Sequence, residues 1–255
     1  MSDAPEPARV TVVLTSCGRF DLLERCLRGF QAFNTHPVER FILMEDSGDP
    51  GVREVAAAVD PAIEVHVASP PLGQVNAIDR AYAMVETPWI FHCEDDYVFH
   101  RGGFIEEGLR VLEADPTISM VSGRGKAGIA TRFDPDRVPV STVGGVTVQV
   151  PPRAMHPAWY GYAFHPGLRR RSDWERFGPF APYRREWDVS YAMKRAGLRM
   201  AYLAPPAFVD DDRGTMTSDS DPARPRNLAR HAYRLRKSLK KYLFYAERAM
   251  GRYAD

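Results

Sequence analysis

Three acids follow an apolar run in the stretch Trp89-Ile90-Phe91-His92-Cys93-Glu94-Asp95-Asp96. A short apolar run of this kind predicts a buried strand. Ligands of open α/β sheets gather at strand ends, and carboxylates crowded there repel one another unless a cation or a bound group compensates them. The stretch therefore predicts either a site for Mg²⁺ or Mn²⁺, which prefer oxygen ligands, or a solvated acidic turn.

The composition is that of an ordinary globular protein. The chain has 255 residues, of which 44% are hydrophobic and 26% charged, enough for one large α/β domain or two small ones. Its net charge is only +1, whereas nucleic-acid-binding proteins carry an excess of positive charge. We therefore expect no nucleic acid partner.

Cysteine usage and hydropathy indicate a cytoplasmic protein. The three cysteines are odd in number and have no CxxC spacing, which argues against a disulfide framework and a zinc ribbon. The polar, proline-rich start Met1–Pro7 has no apolar run, and no stretch approaches about 18 uninterrupted apolar residues. We expect neither an export signal nor a membrane span, and a location in the reducing cytoplasm.

Apolar strands alternate with amphipathic helices in the first half of the chain. The predicted strands cover residues 10–15, 41–44, 63–68, 89–93 and 118–122, and the helices begin near residues 21, 52, 72 and 104. This alternation predicts a mostly parallel sheet with helices on both faces. The polar strand ends at 15–19, 45–46 and 94–96 should then converge, which is the usual geometry of a nucleotide site.

The second half of the chain is less regular. Residues 123–157 are rich in Gly, Pro, Arg and Thr, which predicts loops and a short hairpin around residues 146–150. Arg185-Glu186-Trp187-Asp188 precedes a helix that reaches Ala196-Gly197. Asp210-Asp211-Asp212 is either a second acidic site or, as we prefer, part of a surface loop.

A long amphipathic helix is predicted from about residue 226 to residue 253. Leucines, alanines and a methionine recur there at steps of four and three, and the other faces are basic. Such a helix either makes peripheral contact with an anionic membrane or, as we prefer, packs its apolar stripe on the core.

The order of the polar strand ends resembles that of a known enzyme family. Arg19 follows the first strand, Asp46 the second, and Glu94-Asp95-Asp96 the strand at 89–93. This arrangement is similar to that of GT-A fold glycosyltransferases of the family 2 type, and residues 94–122 look similar to the N-acetylglucosaminyltransferase I group. The resemblance covers most of residues 10–203. It implies a Rossmann-like α/β fold, with a mostly parallel mixed sheet flanked by helices and followed by the C-terminal amphipathic helix.

The resemblance also implies a division of the chain. Residues 1–9 would be a disordered tail, and residues 10–125 the half that binds a nucleotide-sugar. Residues 126–205 would form the acceptor-binding half of the same domain. Residues 206–255 would contain a loop and the basic helix.

The implied donor is a nucleotide-diphosphate sugar, with a UDP-sugar favoured, whose diphosphate lies on Mn²⁺ or Mg²⁺. Carried over by position, Arg19 would contact the diphosphate or base, Asp46 the base and Asp95 the ribose, while Asp96 would be the main metal ligand. Physically, a base offers N–H donors, a ribose offers hydroxyls, and a diphosphate offers charge that a cation neutralises. The other positions expected at the donor are Thr15, Cys17, Gln74, Asn76, Asp79 and Glu94, of which Gln74, Asn76 and Asp79 depart from the usual pattern of the family.

The resemblance places the catalytic base at the start of the helix that ends at Gly197. Counting back from Gly197 gives Glu186, but the acid that normally precedes this position is replaced by Arg185, and Asp188 also falls at a commonly acidic position. Either carboxylate would take a proton from an acceptor hydroxyl as it attacks the anomeric carbon, in an inverting displacement. The alternative for each is a plain helix N-cap.

Several further residues have two open interpretations. Trp159, Tyr160 and Trp187 would stack on an acceptor that is a glycan, a lipid-linked sugar or a small molecule, although core packing is the commoner fate of aromatic residues. His165 and His231 would complete a metal shell or are ordinary histidines.

Two other functions remain open from sequence. A sugar-nucleotide pyrophosphorylase shares a related architecture, although the chain has no glycine-rich, lysine-containing loop after the first strand. A noncatalytic glycan- or membrane-binding protein that retains the fold is the alternative outside enzymes.

Overall fold

The computed structural model describes residues 6–125, 129, 138–183, 185–211 and 228–253, with the side chains of 228–234 outside the description. Its strands are β1 (Val10–Ser16), β2 (Arg40–Glu45), β3 (Glu64–Val67), β4 (Trp89–Glu94), β5 (Tyr97–Phe99), β6 (Ile118–Ser122), β7 (Val140–Val143), β8 (Val146–Gln149), β9 (Gly167–Arg170), β10 (Arg199–Leu203) and β11 (Phe208–Asp210). Its α-helices are α1 (Phe20–Phe33), α2 (Val52–Ala57), α3 (Gln74–Tyr82), α4 (Phe104–Ala114), α5 (Arg171–Phe177), α6 (Glu186–Arg195) and α7 (Leu228–Ala249).

A nine-stranded mixed sheet runs through the molecule in the order β3-β2-β1-β4-β9-β6-β10-β8-β7. Strands β1 to β4 are mutually parallel, and β6 and β10 point the same way, whereas β9 lies antiparallel between β4 and β6. The hairpin of β7 and β8 closes one edge. The predicted mostly parallel sheet flanked by helices is therefore confirmed.

Alternating side chains of the sheet build one apolar core on each face. In β1, Val12 and Leu14 belong to the core beneath α1, α2 and α4, whereas Val13 belongs to the core that α3 and α6 cover. This follows from the two-residue period of a strand, and both faces can be apolar because helices cover both. The predicted apolar strands form because neither face meets water.

The sequence patterns missed two short strands, the inserted strand β9 and also β10. β5 and β11 pair antiparallel in a small second sheet directly behind the acidic turn. Each has three residues, too few to show a period. The two strands are held by a cluster of aromatic side chains, in which the ring centroids of Phe99 and Phe208 lie 5.2 Å apart. β9 was missed because its run Leu168-Arg169-Arg170-Arg171 has the composition of a surface segment.

The predicted C-terminal helix is present as α7, but it packs on a different face from the one we preferred. Its contacts with the domain come from Phe244 and from Tyr253 just beyond the helix, which are buried against Trp187 and Tyr191. The apolar stripe that was expected to pack is exposed, as shown by Leu235 at 74%. Among the residues that the structure describes, no helix is both long and apolar enough to cross a membrane.

The backbone of Gly161 passes so close to α6 that no side chain fits there. A Cβ atom at this position would meet the carbonyl of Ser190 and come within 2.8 Å of the backbone nitrogen of Lys194. We expect Gly161→Ala to lower the free energy of unfolding by about 1–3 kcal/mol, because helix backbone cannot move aside as a side chain can. Urea denaturation followed by circular dichroism measures the change.

Gly29→Ala is the matched control. It lies within α1, and a Cβ there would meet Phe99 at an ordinary 3.6 Å. Alanine is the better helix former by about 1 kcal/mol, so this variant should be as stable as the wild type or more so. An equal loss in both variants would contradict the assignment of close backbone contact at Gly161.

Candidate functional site

The carboxyl ends of β1, β2 and β4 lie side by side. In the register of the sheet, Thr15 pairs with Met44 on one side and with Glu94 on the other. Because these strands are parallel, the polar residues that follow each of them emerge at the same edge. The structure therefore brings together the three predicted polar strand ends.

Glu45, a polar strand end to which the sequence assigned no role, shapes the turn after β1. Its fully buried carboxylate accepts hydrogen bonds from the hydroxyl of Ser16 and from the backbone N–H groups of Gly18 and Ser47, the last two at 2.9 and 2.8 Å. Gly18 has φ +69°, a conformation that favours glycine. Glu45 thus holds the turn that directs Arg19 back across the strand ends.

Arg19 forms a two-pronged ion pair with the acidic turn. Its guanidinium bonds both carboxylate oxygens of Asp95, with Nε 3.1 Å from Oδ2, and its Nη1 lies 3.1 Å from Oδ2 of Asp96. The side chain of Asp95 is almost fully buried, whereas that of Asp96 remains 29% exposed. Asp96, and to a similar degree the half-buried Glu94, are therefore the acids of this turn that an incoming ligand can reach.

Burial and mutual repulsion disturb the titration of the acidic turn. The pKa of Glu94 is raised to about 8, first by burial and then by the charges of Asp96, Glu186 and Asp95. The pKa of Asp95 is raised to about 6 by burial, against the opposing charge of Arg19. Nε2 of Gln74 donates a hydrogen bond to Glu94 at 2.9 Å. Several carboxylates therefore converge here with less positive charge than would ionise them all at neutral pH.

This charge balance fits a divalent cation held partly by a ligand. Carboxylate oxygens are the donors that Mg²⁺ and Mn²⁺ prefer, and the side chain of Asp96 is 29% exposed. The described part of the chain contains no group of three His, Cys, Asp or Glu side chains arranged as a metal cage. A cation bound here would thus take most of its ligands from a phosphate group and water, as Mg²⁺ commonly does.

His165 does not complete such a site. Nδ1 of His165 lies 3.2 Å from the hydroxyl of Ser122, and burial together with Arg124 and Arg169 lowers the pKa of His165 to about 3. These contacts describe a neutral histidine bonded within the fold. The side chain of His231 is outside the described residues.

The structure separates the two candidate bases at the start of α6. Glu186 accepts a hydrogen bond from the backbone N–H of Phe164 at 3.1 Å, lies close enough to raise the pKa of Glu94, and has its own pKa raised to about 7 by burial. Asp188 instead forms an ion pair with Lys240 of α7. Residues two apart on a helix face different directions, which explains why only Glu186 is coupled to the acidic turn.

Three residues predicted to face the donor make contacts within the protein. Asp46 accepts the backbone N–H groups of Leu72 and Gly73 at 2.6 and 2.7 Å and so ties the loop before α3 to β2. Asp79 accepts three hydrogen bonds from the region of α5, from Trp174 Nε1 and from the backbone of residues 180 and 181. The amide of Asn76 bonds the carbonyl of Leu72. These bonds account for all three as tethers, and contacts with a donor stay predictions.

The remaining predicted donor positions lie close to the acidic turn. Thr15 is a buried residue of β1 beside Glu94, and the backbone N–H of Cys17 hydrogen-bonds Asp95 and favours its ionised form. Both therefore support the turn that carries Arg19. Contacts of Thr15 and Cys17 with a donor stay predictions.

The prediction that aromatic residues stack on the acceptor does not hold for Tyr160 and Trp187. Tyr160 is 3% exposed within the core, and Trp187 is 5% exposed, stacked on Tyr191 at 6.0 Å and covered by Lys237 and Lys240 of α7. A ring covered on both sides cannot stack on a sugar, so neither forms an acceptor platform in this structure. Trp159 is half-buried against the same cluster as Trp187, so it too belongs largely to the contact with α7.

Two cations near the site were missed from sequence. Arg169 of β9 is 1% exposed, and its guanidinium donates to the hydroxyl of Tyr162 at 2.9 Å and to the carbonyls of Ala163 and His165. Its charge lowers the pKa of Glu186 against the effect of burial. Arg124 has the same effect on Glu186 and is paired with Asp210 at 2.7 Å.

Two of the three acids at 210–212, Asp210 and Asp211, lie at the edge of the site. Asp210 lies in β11, and Asp211 pairs with Arg25 while its backbone N–H bonds the carbonyl of Asp96 at 2.7 Å. The expected surface loop is therefore wrong for Asp210, which lies in a strand, whereas Asp211 follows that strand and is tied to the acidic turn. Asp212 is outside the described residues.

Comparisons with known proteins agree with this geometry. Among solved structures, the mannosyltransferase PcManGT from Pyrobaculum calidifontis, in complex with GDP-Man and Mn²⁺, superposes with a TM-score of 0.55 at 16% identity. The match covers 79% of this chain and 56% of that one, so the chain spans little more than half of its structural neighbour. At this identity the likeness shows the fold alone, and it confirms the GT-A type of α/β fold.

Sequence comparisons lead to the family. No curated protein sequence matches the chain. The similarity of residues 94–122 to the N-acetylglucosaminyltransferase I group stays a prediction. The sequence profile described as "Glycosyl transferase family 2" matches residues 11–190, which is more than half of the chain and includes β1, the acidic turn and the start of α6. The chain therefore belongs to glycosyl transferase family 2.

Proposed function

We propose that the protein transfers a sugar from a nucleotide-diphosphate sugar to an acceptor hydroxyl, with inversion and with a divalent cation. The observation that carries this proposal is the position of Glu186, a carboxylate with a pKa of about 7, within electrostatic reach of the acidic turn at the end of β4. Family membership supports the reaction type.

The donor half of the site uses Arg19, Asp95 and Asp96. A diphosphate is a better partner for the guanidinium of Arg19 than a second carboxylate, since it carries more charge and accepts paired hydrogen bonds. Asp96 would hold Mn²⁺ or Mg²⁺ between the protein and the phosphates. When bound, the cation stabilises negative charge on the departing nucleoside diphosphate.

The catalytic base in this proposal is Glu186. A general base works best when its pKa lies near the working pH, because it is then largely deprotonated and still basic enough to accept the proton. Burial supplies the upward shift, and the charges of Arg169 and Arg124 limit it. Asp188 is a structural residue that binds α7.

The donor sugar is a hexose or an N-acetylhexosamine. The sequence resemblance favours UDP-sugars, whereas the structural neighbour was solved with GDP-Man. A hydrolysis screen of UDP-, GDP- and dTDP-sugars with Mn²⁺ selects among them. Release of pyrophosphate from a nucleoside triphosphate and a sugar phosphate would instead support the pyrophosphorylase.

Donor and cation should stabilise the fold together. We expect the Tm to rise when a nucleoside diphosphate and Mn²⁺ are both added and much less with either alone, because each reduces the charge cost of binding the other. At a ligand concentration of a hundred times Kd the gain is about 2.7 kcal/mol. Differential scanning fluorimetry measures it, with Asp96→Asn expected to remove the joint effect and Asp210→Asn, an acid paired to Arg124, to keep it.

Replacing Glu186 and Asp188 separately tests the base. Glu186→Gln should lower kcat by about 10²–10⁴-fold while donor binding persists, because the amide cannot accept the proton. Asp188→Asn should retain kcat within roughly threefold and lose about 1 kcal/mol of stability through the lost pair with Lys240. The reverse pattern would assign the base to Asp188, and full activity in both Glu186→Gln and Asp96→Ala would favour the noncatalytic alternative.

The raised pKa of Glu186 predicts opposite effects of pH on activity and stability. Activity should increase as pH rises through about 7, since only the deprotonated carboxylate is a base. A pKa above the unfolded value of 4.5 means that ionising Glu186 destabilises the native state as pH rises. At pH 8 the Glu186→Gln variant should therefore have a higher Tm than wild type, with a free energy of unfolding larger by at least about 1 kcal/mol. Near pH 4 the two proteins should be equally stable. Parallel pH profiles of kcat/KM and Tm test both signs.

A further inference from the structure

The exposed side of α7 is unusually apolar for a surface helix. Leu235, Leu239, Tyr242 and Leu243 are between 49% and 75% exposed, and Met250 directly after the helix is 76% exposed. We call these five residues the outer stripe. Scattered apolar residues are normal on a protein surface, but a continuous stripe along one helix marks an interaction site.

In the part of α7 whose side chains are described, residues 235–249, the contacts that hold the helix in place lie on the opposite side. Phe244 and Tyr253 are buried, Lys240 pairs with Asp188, and Glu247 pairs with Arg195 at 2.9 Å. At about 100° of rotation per residue, Leu235, Leu239 and Tyr242 point roughly away from Phe244. The outer stripe is therefore not a core face left uncovered by a poor fit, since the helix already has a packed face.

The flanks of the outer stripe are basic. Arg236 is exposed directly beside Leu243, and Lys241 and Arg248 are exposed between the stripe and the packed side of the helix. Over its whole length α7 contains seven basic residues and one acid, and that acid, Glu247, is buried on the packed side between Arg195 and Arg252. An exposed face that combines apolar side chains with positive charge alone fits a surface that is apolar and negatively charged.

We propose that α7 docks the protein on an anionic lipid bilayer, lying in the plane of the membrane surface with the outer stripe inserted among the lipids. Leucine and methionine would enter the acyl boundary, tyrosine suits the headgroup level, and the basic flanks would contact anionic headgroups. A second copy of the chain is a poorer partner, because a symmetric contact through the stripe would bring the basic flanks of both copies together.

Vesicle flotation with the full chain tests this inference. Wild type should float with vesicles containing about one-third phosphatidylglycerol and remain below with pure phosphatidylcholine, and added salt should weaken binding. Leu239→Ser with Leu243→Ser should reduce the bound fraction on the order of tenfold by removing inserted apolar area. Arg236→Gln with Lys241→Gln should reduce binding to the anionic vesicles in the same direction.

The control is Val140→Ser, which removes an exposed apolar side chain, 60% accessible, from β7. It should float like wild type, and all variants should keep the wild-type Tm because none alters the packed face of α7. Donor hydrolysis without vesicles should also be unchanged, which separates this inference from the proposed transferase activity.

Three results would overturn the inference. The first is wild-type protein that floats with neither vesicle, and the second is equal flotation of wild type and the double leucine variant. The third is a dimer of the wild type in light scattering that the double leucine variant converts to a monomer, which would assign the stripe to a second copy.

Discussion

The arrangement of the candidate site depends on the carboxylates that are crowded together at the end of β4. Glu94 and Asp95 lie at a strand end inside the fold, where an unpaired charge costs several kcal/mol. The two-pronged contact of Arg19 compensates Asp95, and this contact requires the turn after β1 to point back across the sheet. Glu45 holds that turn from β2. Three strands thus cooperate to place one guanidinium.

Arg19 neutralises only part of the negative charge of these carboxylates, and the remaining charge favours binding of a ligand with a cation. Arg19 pairs with Asp95 and Asp96, whereas burial and the neighbouring acids raise the pKa of Glu94 to about 8. A ligand that brings its own cation would relieve this repulsion. A site with unmet charge binds such a ligand more strongly than a site that the protein has already neutralised. Burial, opposed by the hydrogen bond from Phe164 and the charges of Arg169 and Arg124, sets the pKa of Glu186 near neutrality.

Helix α6 links the candidate site to the outer surface of the protein. Its first residue, Glu186, faces the acidic turn, while Asp188 and Arg195 hold α7 through ion pairs with Lys240 and Glu247. α7 uses a face of mixed charge and aromatic residues for this contact. Its leucines therefore remain exposed, whereas the apolar stripe of a surface helix usually packs on the core.

The amino-acid sequence by itself determined the alternation of strands and helices, the convergence of three polar strand ends and the family. These features follow from local periodicity and chain order, which a single sequence contains. It also placed Arg19, Asp95 and Asp96 at converging strand ends, and the resemblance to the family implied their roles. It left Glu186 and Asp188 equal, since both are acids at the same helix start.

Only the tertiary structure decided features that depend on partners distant in the chain. Lys240 lies 52 residues from Asp188, and the contact between them separates the two candidate bases. Arg169 stands in a run of arginines that looks solvated, yet the antiparallel insertion of β9 buries it near Glu186. The direction in which α7 faces could not follow from its stripe alone, because periodicity shows that a helix has two faces and not which of them meets the protein.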